Sequence, residues 1–354
     1  MKKWTSNLIK QLLGSSRKAT PRRPSRARVH LELQLLEDRS VPSALTGGAA
    51  ASATTSAAST QPPYPLISIS GVSGYQTPAE LFAVSADHAL YEYTYATGWT
   101  KIGGSGSVAS VSAVLDNAGF AVAFVVTQDH GLYAYDDQYG WAKLGAPGTI
   151  AAAYGGLDAA GLAEAYVFTT NNAFYVYNFG TGWSPIGAPN TVLSVAPITN
   201  GDAYVVTADH SIFEYSQGFG WSRITAAGFA SSISATEDGL GNTELFAVTL
   251  SNGLYRYQPQ SGWSQLGAAG TIRSINAGTD AAGSIVVYTI TSAGGLFEYS
   301  TVSGWSSVGN SQTVLDYSAA FADVLFVVTA DQSIFLYTHQ AGWSRLTSSG
   351  FALG

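Results

Sequence analysis

The dipeptide Gly-Trp occurs seven times in this chain, ending at Trp99, Trp141, Trp183, Trp221, Trp263, Trp305 and Trp343. The intervals between these tryptophans are 42, 42, 38, 42, 42 and 38 residues. A repeat of this length that holds four short strands is one blade of a propeller. Counting from the Trp of each unit, position −14 is always a hydroxyl (Ser85, Thr127, Thr169, Thr207, Thr249, Thr291, Thr329) and position −6 is always Tyr. Position −8 is always a second Tyr or Phe.

The strands follow from these recurrences. In the first unit "LFAV" and "LYEY" flank the short turn "SADHA", which reads as a β-hairpin. "WTKI" is the next strand, entered through a Gly, and "SVASVSAV" opens the following unit. No segment sustains a helical period. A longer period lies above the first: Trp99, Trp221 and Trp343 are 122 residues apart, as are Trp141 with Trp263 and Trp183 with Trp305. The array reads as a duplicated three-unit block with one unit more. An open solenoid usually carries atypical end units, whereas the last unit here is as regular as the middle ones. The expected fold is therefore an all-β, seven-bladed β-propeller with four-stranded antiparallel blades over residues 64–354, closing between its first and last blades.

What precedes it is different in kind. Residues 1–62 hold ten of the sixteen Lys and Arg and three of the acids. The remainder has six bases (Lys101, Lys143, Arg223, Arg256, Arg273, Arg345) against twenty acids, a net of −14. So acidic a body repels phosphate backbones, and nucleic acid is not an expected partner. Residues 1–43 read as a disordered basic leader and 44–63, rich in Ala, Ser, Thr and Gly, as a low-complexity linker that cannot bury enough apolar area to order itself. No apolar run is long enough for a transmembrane helix. The segment "LELQLLEDRSVPSA" (Leu31 to Ala44) resembles the L-E-x-L-E-D-R-x-x-P-S segment near the N-termini of many planctomycete exported proteins, with Leu36, Glu37, Asp38, Arg39, Pro42 and Ser43 in place. That resemblance implies a secreted or surface-displayed protein.

The repeated unit, with its hairpin turn before L-Y-x-Y and its G-W-x-x-[IL]-G strand, resembles the tectonin-type repeat of fungal and invertebrate lectins and of bacterial seven-bladed fucose-binding propellers. The resemblance spans about 290 residues and implies sugar binding between neighbouring blades against aromatic rings. No Arg or Glu recurs across the units, a departure that bears on fucose specificity.

Strand alternation puts each Trp on the same face as position +2, a largely polar set: Lys101, Lys143, Pro185, Arg223, Gln265, Ser307 and Arg345. The seven Trp are thus candidate ligand-binding residues whose ring faces could stack on a sugar. The alternative is that they lock adjacent blades together. The turn pairs Asp87–His88, Asp129–His130 and Asp209–His210 fit turn chemistry; they would make a metal site only if they converged. The chain has no Cys, H-E-x-x-H, G-x-S-x-G or phosphate-binding loop. Asp136–Asp137 and Glu237–Asp238 read as adjacent acids on surface turns, without the facing carboxylates that glycoside hydrolysis needs. The expectation is a non-catalytic carbohydrate- or glycoconjugate-binding propeller without cofactor or metal, the alternative being an interaction scaffold with no small ligand.

Overall fold

A computed structural model of the chain describes residues 62, 64–74, 78–145, 148–187, 191–267, 270–309, 314–320 and 324–347. The basic leader, the Leu31–Ala44 motif and, apart from Pro62, the linker lie outside the described residues. Among the described residues the only regular elements are twenty-eight strands in seven four-stranded sheets, each an antiparallel meander. Blade one consists of β1 (Leu66–Val72), β2 (Glu80–Ser85), β3 (Leu90–Thr94) and β4 (Gly98–Gly103). Blades two to seven span 108–145, 150–185, 192–223, 230–267, 272–307 and 314–345. The four-strand reading of the repeat and the blade count both hold.

The first strand of every blade packs against the first strands of both neighbours, blade seven against blade one included, so the ring is closed and these strands surround its axis. The Gly-Trp strand is outermost. Each sheet shows one face to each neighbour. In blade one Leu81, Ala83, Tyr91 and Trp99 pack toward blade seven, with Phe326, Val328, Ile334 and Leu336. Phe82, Val84 and Leu90 pack toward blade two, with Val111, Ala123 and Val125. Both faces are buried, so the middle strands read as nearly continuous apolar runs. Burying each such side chain is worth about 1.5–3 kcal/mol, and the seams, not the sheet interiors, are where that burial occurs.

A single hydrogen bond recurs along the inner strands. Ser70 Oγ accepts from Ala113 N–H of the next blade at 2.8 Å, Ser112 Oγ from Gly155 N–H at 2.9 Å, and Ser234 Oγ from Ala277 N–H at 2.9 Å. Ser318 Oγ accepts from Gly71 N–H at 2.9 Å. The closing seam therefore repeats the bond of the internal seams. Among the described residues no strand is exchanged between first and last blades, since β1 pairs with β2 of its own blade. Closure rests on face packing and on side-chain bonds such as these.

Two recurrent sequence features become legible here. The Gly before each Trp has φ between 68° and 78° in all seven blades (for example Gly98 at 68° and Gly220 at 78°), a left-handed conformation that ends the β3–β4 turn and that a side chain would strain. The hydroxyl at −14 clamps the β2–β3 hairpin. It donates to the carbonyl at −10 in every blade, as in Thr207 to Ser211 at 3.2 Å.

Candidate inter-blade grooves

The recurrent aromatics form one cross-strand unit. In each blade Tyr −6 pairs in register with Trp, and the two ring centroids lie 5.0 to 5.3 Å apart. The indole then reaches the preceding blade. Nε1–H donates to the carbonyl at +3 of the preceding outer strand: Trp99 to Leu346 (3.1 Å), Trp183 to Leu144 (2.8 Å), Trp221 to Ile186 (3.1 Å), Trp305 to Leu266 (3.2 Å) and Trp343 to Val308 (3.0 Å). Trp263 departs: its Nε1 is buried without a partner, and Phe229 packs on its ring at 4.8 Å.

Locking a seam does not by itself close a ring face. Trp99 is 3% exposed and offers no free face, whereas Trp183, Trp305 and Trp343 are 37%, 40% and 41% exposed. Trp141, Trp221 and Trp263 are half-buried. What separates the grooves is position +2, on the same strand face as Trp. In blades one, two, four and seven it is a cation held over the −8 ring: Lys101 on Tyr91 (5.7 Å), Lys143 on Tyr133 (6.0 Å), Arg223 on Phe213 (5.6 Å) and Arg345 on Phe335 (5.6 Å). Carboxylates of the adjoining hairpins fix three of these cations. Arg223 lies 3.5 Å from Asp209 and Arg345 4.0 Å from Asp331, while Lys101 reaches Asp87 through Ser105. Hydrogen bonds from Thr207 and Ser211, with Arg223 adding, push Asp209 down to about 2. In blade five Phe229 covers Tyr255, with ring centroids at 5.7 Å.

Blades three and six have Pro185 and Ser307 at +2 and no such cover. The groove between blades two and three, of about 470 Å³, is lined by Leu144, Gly145, Thr149, Ile150, Thr169, Thr170, Asn171, Tyr175 and Trp183. Tyr175 and Trp183, on adjacent strands of blade three, meet edge to face on one wall of it, 6.1 Å apart at 88°. The groove between blades five and six, about 530 Å³, is bordered by Phe297, Thr271, Thr291, Ser292 and the backbone of 293–295. Trp305 is tethered in that same seam. The groove before blade seven, with Phe335 and Trp343 but also Arg345, is reduced to about 200 Å³. The two open grooves occupy the same place in the duplicated three-blade block.

The hairpin His residues do not converge. His88, His130 and His210 sit at φ of 61°, 64° and 60°, as do Asn172, Asn252 and Gln332 near that value. Each His places Nδ1 within 2.9–3.0 Å of the carbonyl that opens the following inner strand: Val108, Ile150 and Ala230. Their role is turn chemistry. Asp at the same turns accepts from the −14 hydroxyl, as in Thr127 to Asp129 at 2.6 Å.

The opposite face carries a group that the sequence reading missed. Asp137 was expected on a surface turn with no carboxylate facing it, but it meets Glu80 and Glu92 of blade one, with one oxygen of each residue within 4.8 Å of the others. Burial, with Asp137 and Glu80 adding repulsion, pushes Glu92 up to about 8. Burial also pushes Glu164 of blade three up to about 7. Glu237 instead accepts from Thr199 at 2.6 Å.

No protein-family model matches this sequence, and no curated protein does. Among solved structures the chain is similar to YCF48 bound to D1 peptide (13% identity, TM-score 0.51, covering 81% of this chain and 94% of that one). It is also similar to YCF48 from Cyanidioschyzon merolae (17%, TM-score 0.47, 69% and 87%) and to AofleA from Arthrobotrys oligospora (14%, TM-score 0.47, 69% and 87%). At 13% identity the first of these likenesses carries the fold alone, in accord with the seven sheets described above: the chain is a seven-bladed β-propeller.

Proposed function

We propose that this protein is a non-catalytic carbohydrate-binding propeller whose ligand sites are the two open grooves, between blades two and three and between blades five and six. The observation that carries the reading is the pair Tyr175 and Trp183, set at right angles on the blade-three wall of an open groove whose rim supplies Thr169, Thr170 and Asn171. An aromatic face suits the C–H face of a pyranose, and hydroxyl and amide groups at the rim suit its hydroxyls. The described lining of this groove holds no carboxylate and no His. Two weak sites on one rigid ring would gain strength by avidity on a multivalent glycan. Such a role accords with export or surface display, which the Leu31–Ala44 segment suggests.

A glycan array with the folded full chain tests this. Binding to at least one glycan class is expected, reduced tenfold or more by Tyr175→Ala combined with Phe297→Ala. Absence of signal on every glycan from a folded protein would refute it and leave an interaction scaffold. The peptide partner named for one YCF48 structure makes a peptide array the natural second screen in that case.

A further inference from the structure

We propose that the groove between blades one and two, on the face of the β1–β2 and β3–β4 turns, binds a divalent cation of the calcium type through Glu80, Glu92 and Asp137. Two of the carboxylates come from neighbouring strands of blade one and the third from the β3–β4-type turn of blade two, so a bound ion would tie two blades together. One oxygen from each lies within 4.8 Å of the others, which suits a single ion. Glu92 is 5% exposed, lines a cavity of about 400 Å³, and has its Oε1 buried there without a hydrogen-bond partner. A buried carboxylate oxygen without a partner costs several kcal/mol unless something neutralises it. The hydroxyl residues Thr94, Thr97 and Thr100 border the same cavity and extend its all-oxygen character.

The chain supplies its own comparison. Glu298 of blade six stands where Glu92 stands in blade one, seven residues before the Trp, and is 3% exposed. The place of Asp137, four residues before the next Trp, is there taken by His339, whose Nε2 lies 3.1 Å from Glu298 Oε1. Glu244 of blade five, another buried carboxylate, has Arg256 at 3.8 Å and Gln258 at 2.6 Å. At blades one and two the partner is a further acid. The six bases of the propeller are all engaged elsewhere: four over the −8 rings, Arg256 at Glu244, and Arg273 on the Val314 carbonyl at 3.1 Å. Three carboxyl groups therefore share a half-enclosed groove with no basic side chain beside them among the described residues; a neighbouring donor, the Tyr135 hydroxyl, gives a hydrogen bond to Asp137 at 3.0 Å. Oxygen-only donors without His or Cys select a hard cation, calcium before zinc.

The test uses the full chain stripped with chelator at pH 7.5, titrated calorimetrically with calcium chloride and with magnesium chloride, and melted at each concentration. The expected result is one calcium per chain, weaker binding of magnesium, and a Tm that climbs with calcium. Asp137→Asn should weaken calcium binding at least tenfold. Glu92→Gln should abolish the calcium response while melting at or above the metal-free wild type, because it removes repulsion without emptying the site. Glu298→Gln should keep the full calcium response. The proposal is overturned if calcium up to about 10 mM, beyond the range of weak extracellular calcium modules, gives neither heat nor a Tm shift. It is equally overturned if the shift persists in both cluster variants, or if acidification alone stabilises the protein and calcium does not.

Discussion

Substituting Gly71 by Val tests the closing seam directly. A Cβ at Gly71 would stand 2.4 Å from Cδ2 and 2.7 Å from Cε2 of Phe326, a blade-seven ring that is 1% exposed. Ala occupies the matching place in other seams (Ala113, Ala277), so a single methyl is tolerable where the facing ring can turn, but two further methyls are not. Overpacking of this kind costs about 1–3 kcal/mol. For a domain of this size each kcal/mol lowers Tm by roughly 2–4 °C, so Gly71→Val should melt about 2–12 °C below wild type. Val is the better strand former, so local propensity works against the expected sign. Phe326→Leu should restore part of the loss, giving a favourable coupling of about 0.5–3 kcal/mol in a denaturant double-mutant cycle. If the two substitutions simply add, residues 255 apart in sequence do not touch, and the ring closes differently or not at all.

Three further outcomes are expected. Glu164 is 2% exposed and its carboxyl is pushed up to about 7, so the folded state holds a proton that the unfolded chain has released above about 4.5. The stability it contributes is complete at low pH and lost as pH rises through about 7; Glu164→Gln should flatten that part of a Tm-against-pH profile. Thr207→Val removes a fully buried hydroxyl whose one hydrogen is shared between Asp209 and the Ser211 carbonyl, and chemical denaturation should register a loss of about 1–3 kcal/mol. Trp99→Phe should destabilise more than Trp183→Phe by the same measurement, since each loses an indole bond to the preceding blade but only Trp99 is enclosed.

The repeat made the blades, their strands and their number legible, because hydrophobic period and turn residues are local and are written seven times. The Gly before Trp and the −14 hydroxyl were visible as recurrences, and the left-handed turn and the hairpin clamp supply their reasons. The difference among the seven Trp was not legible. How wide a groove is depends on what lies over the −8 aromatic, and that became clear only once Lys101, Lys143, Arg223 and Arg345 were seen lying across it. Alternation had already put +2 on the face of Trp, so the contrast of Pro185 and Ser307 with the basic residues was the available signal. The acid group was hidden for another reason. Glu80, Glu92 and Asp137 come from three chain segments in two blades, and only the packing of one sheet on the next brings them together.

Ligand binding should follow the difference between the two wide grooves, before blades three and six, and the rest. Fluorine NMR of protein labelled with 5-fluorotryptophan, its resonances assigned by single Trp→Phe variants, reads all seven seams at once during titration with a glycan ligand. Shifts concentrated at Trp183 and Trp305, with Trp99 and Trp221 unmoved, are the predicted result. Equal shifts at all seven, or movement at Trp99 and Trp221 alone, would contradict it.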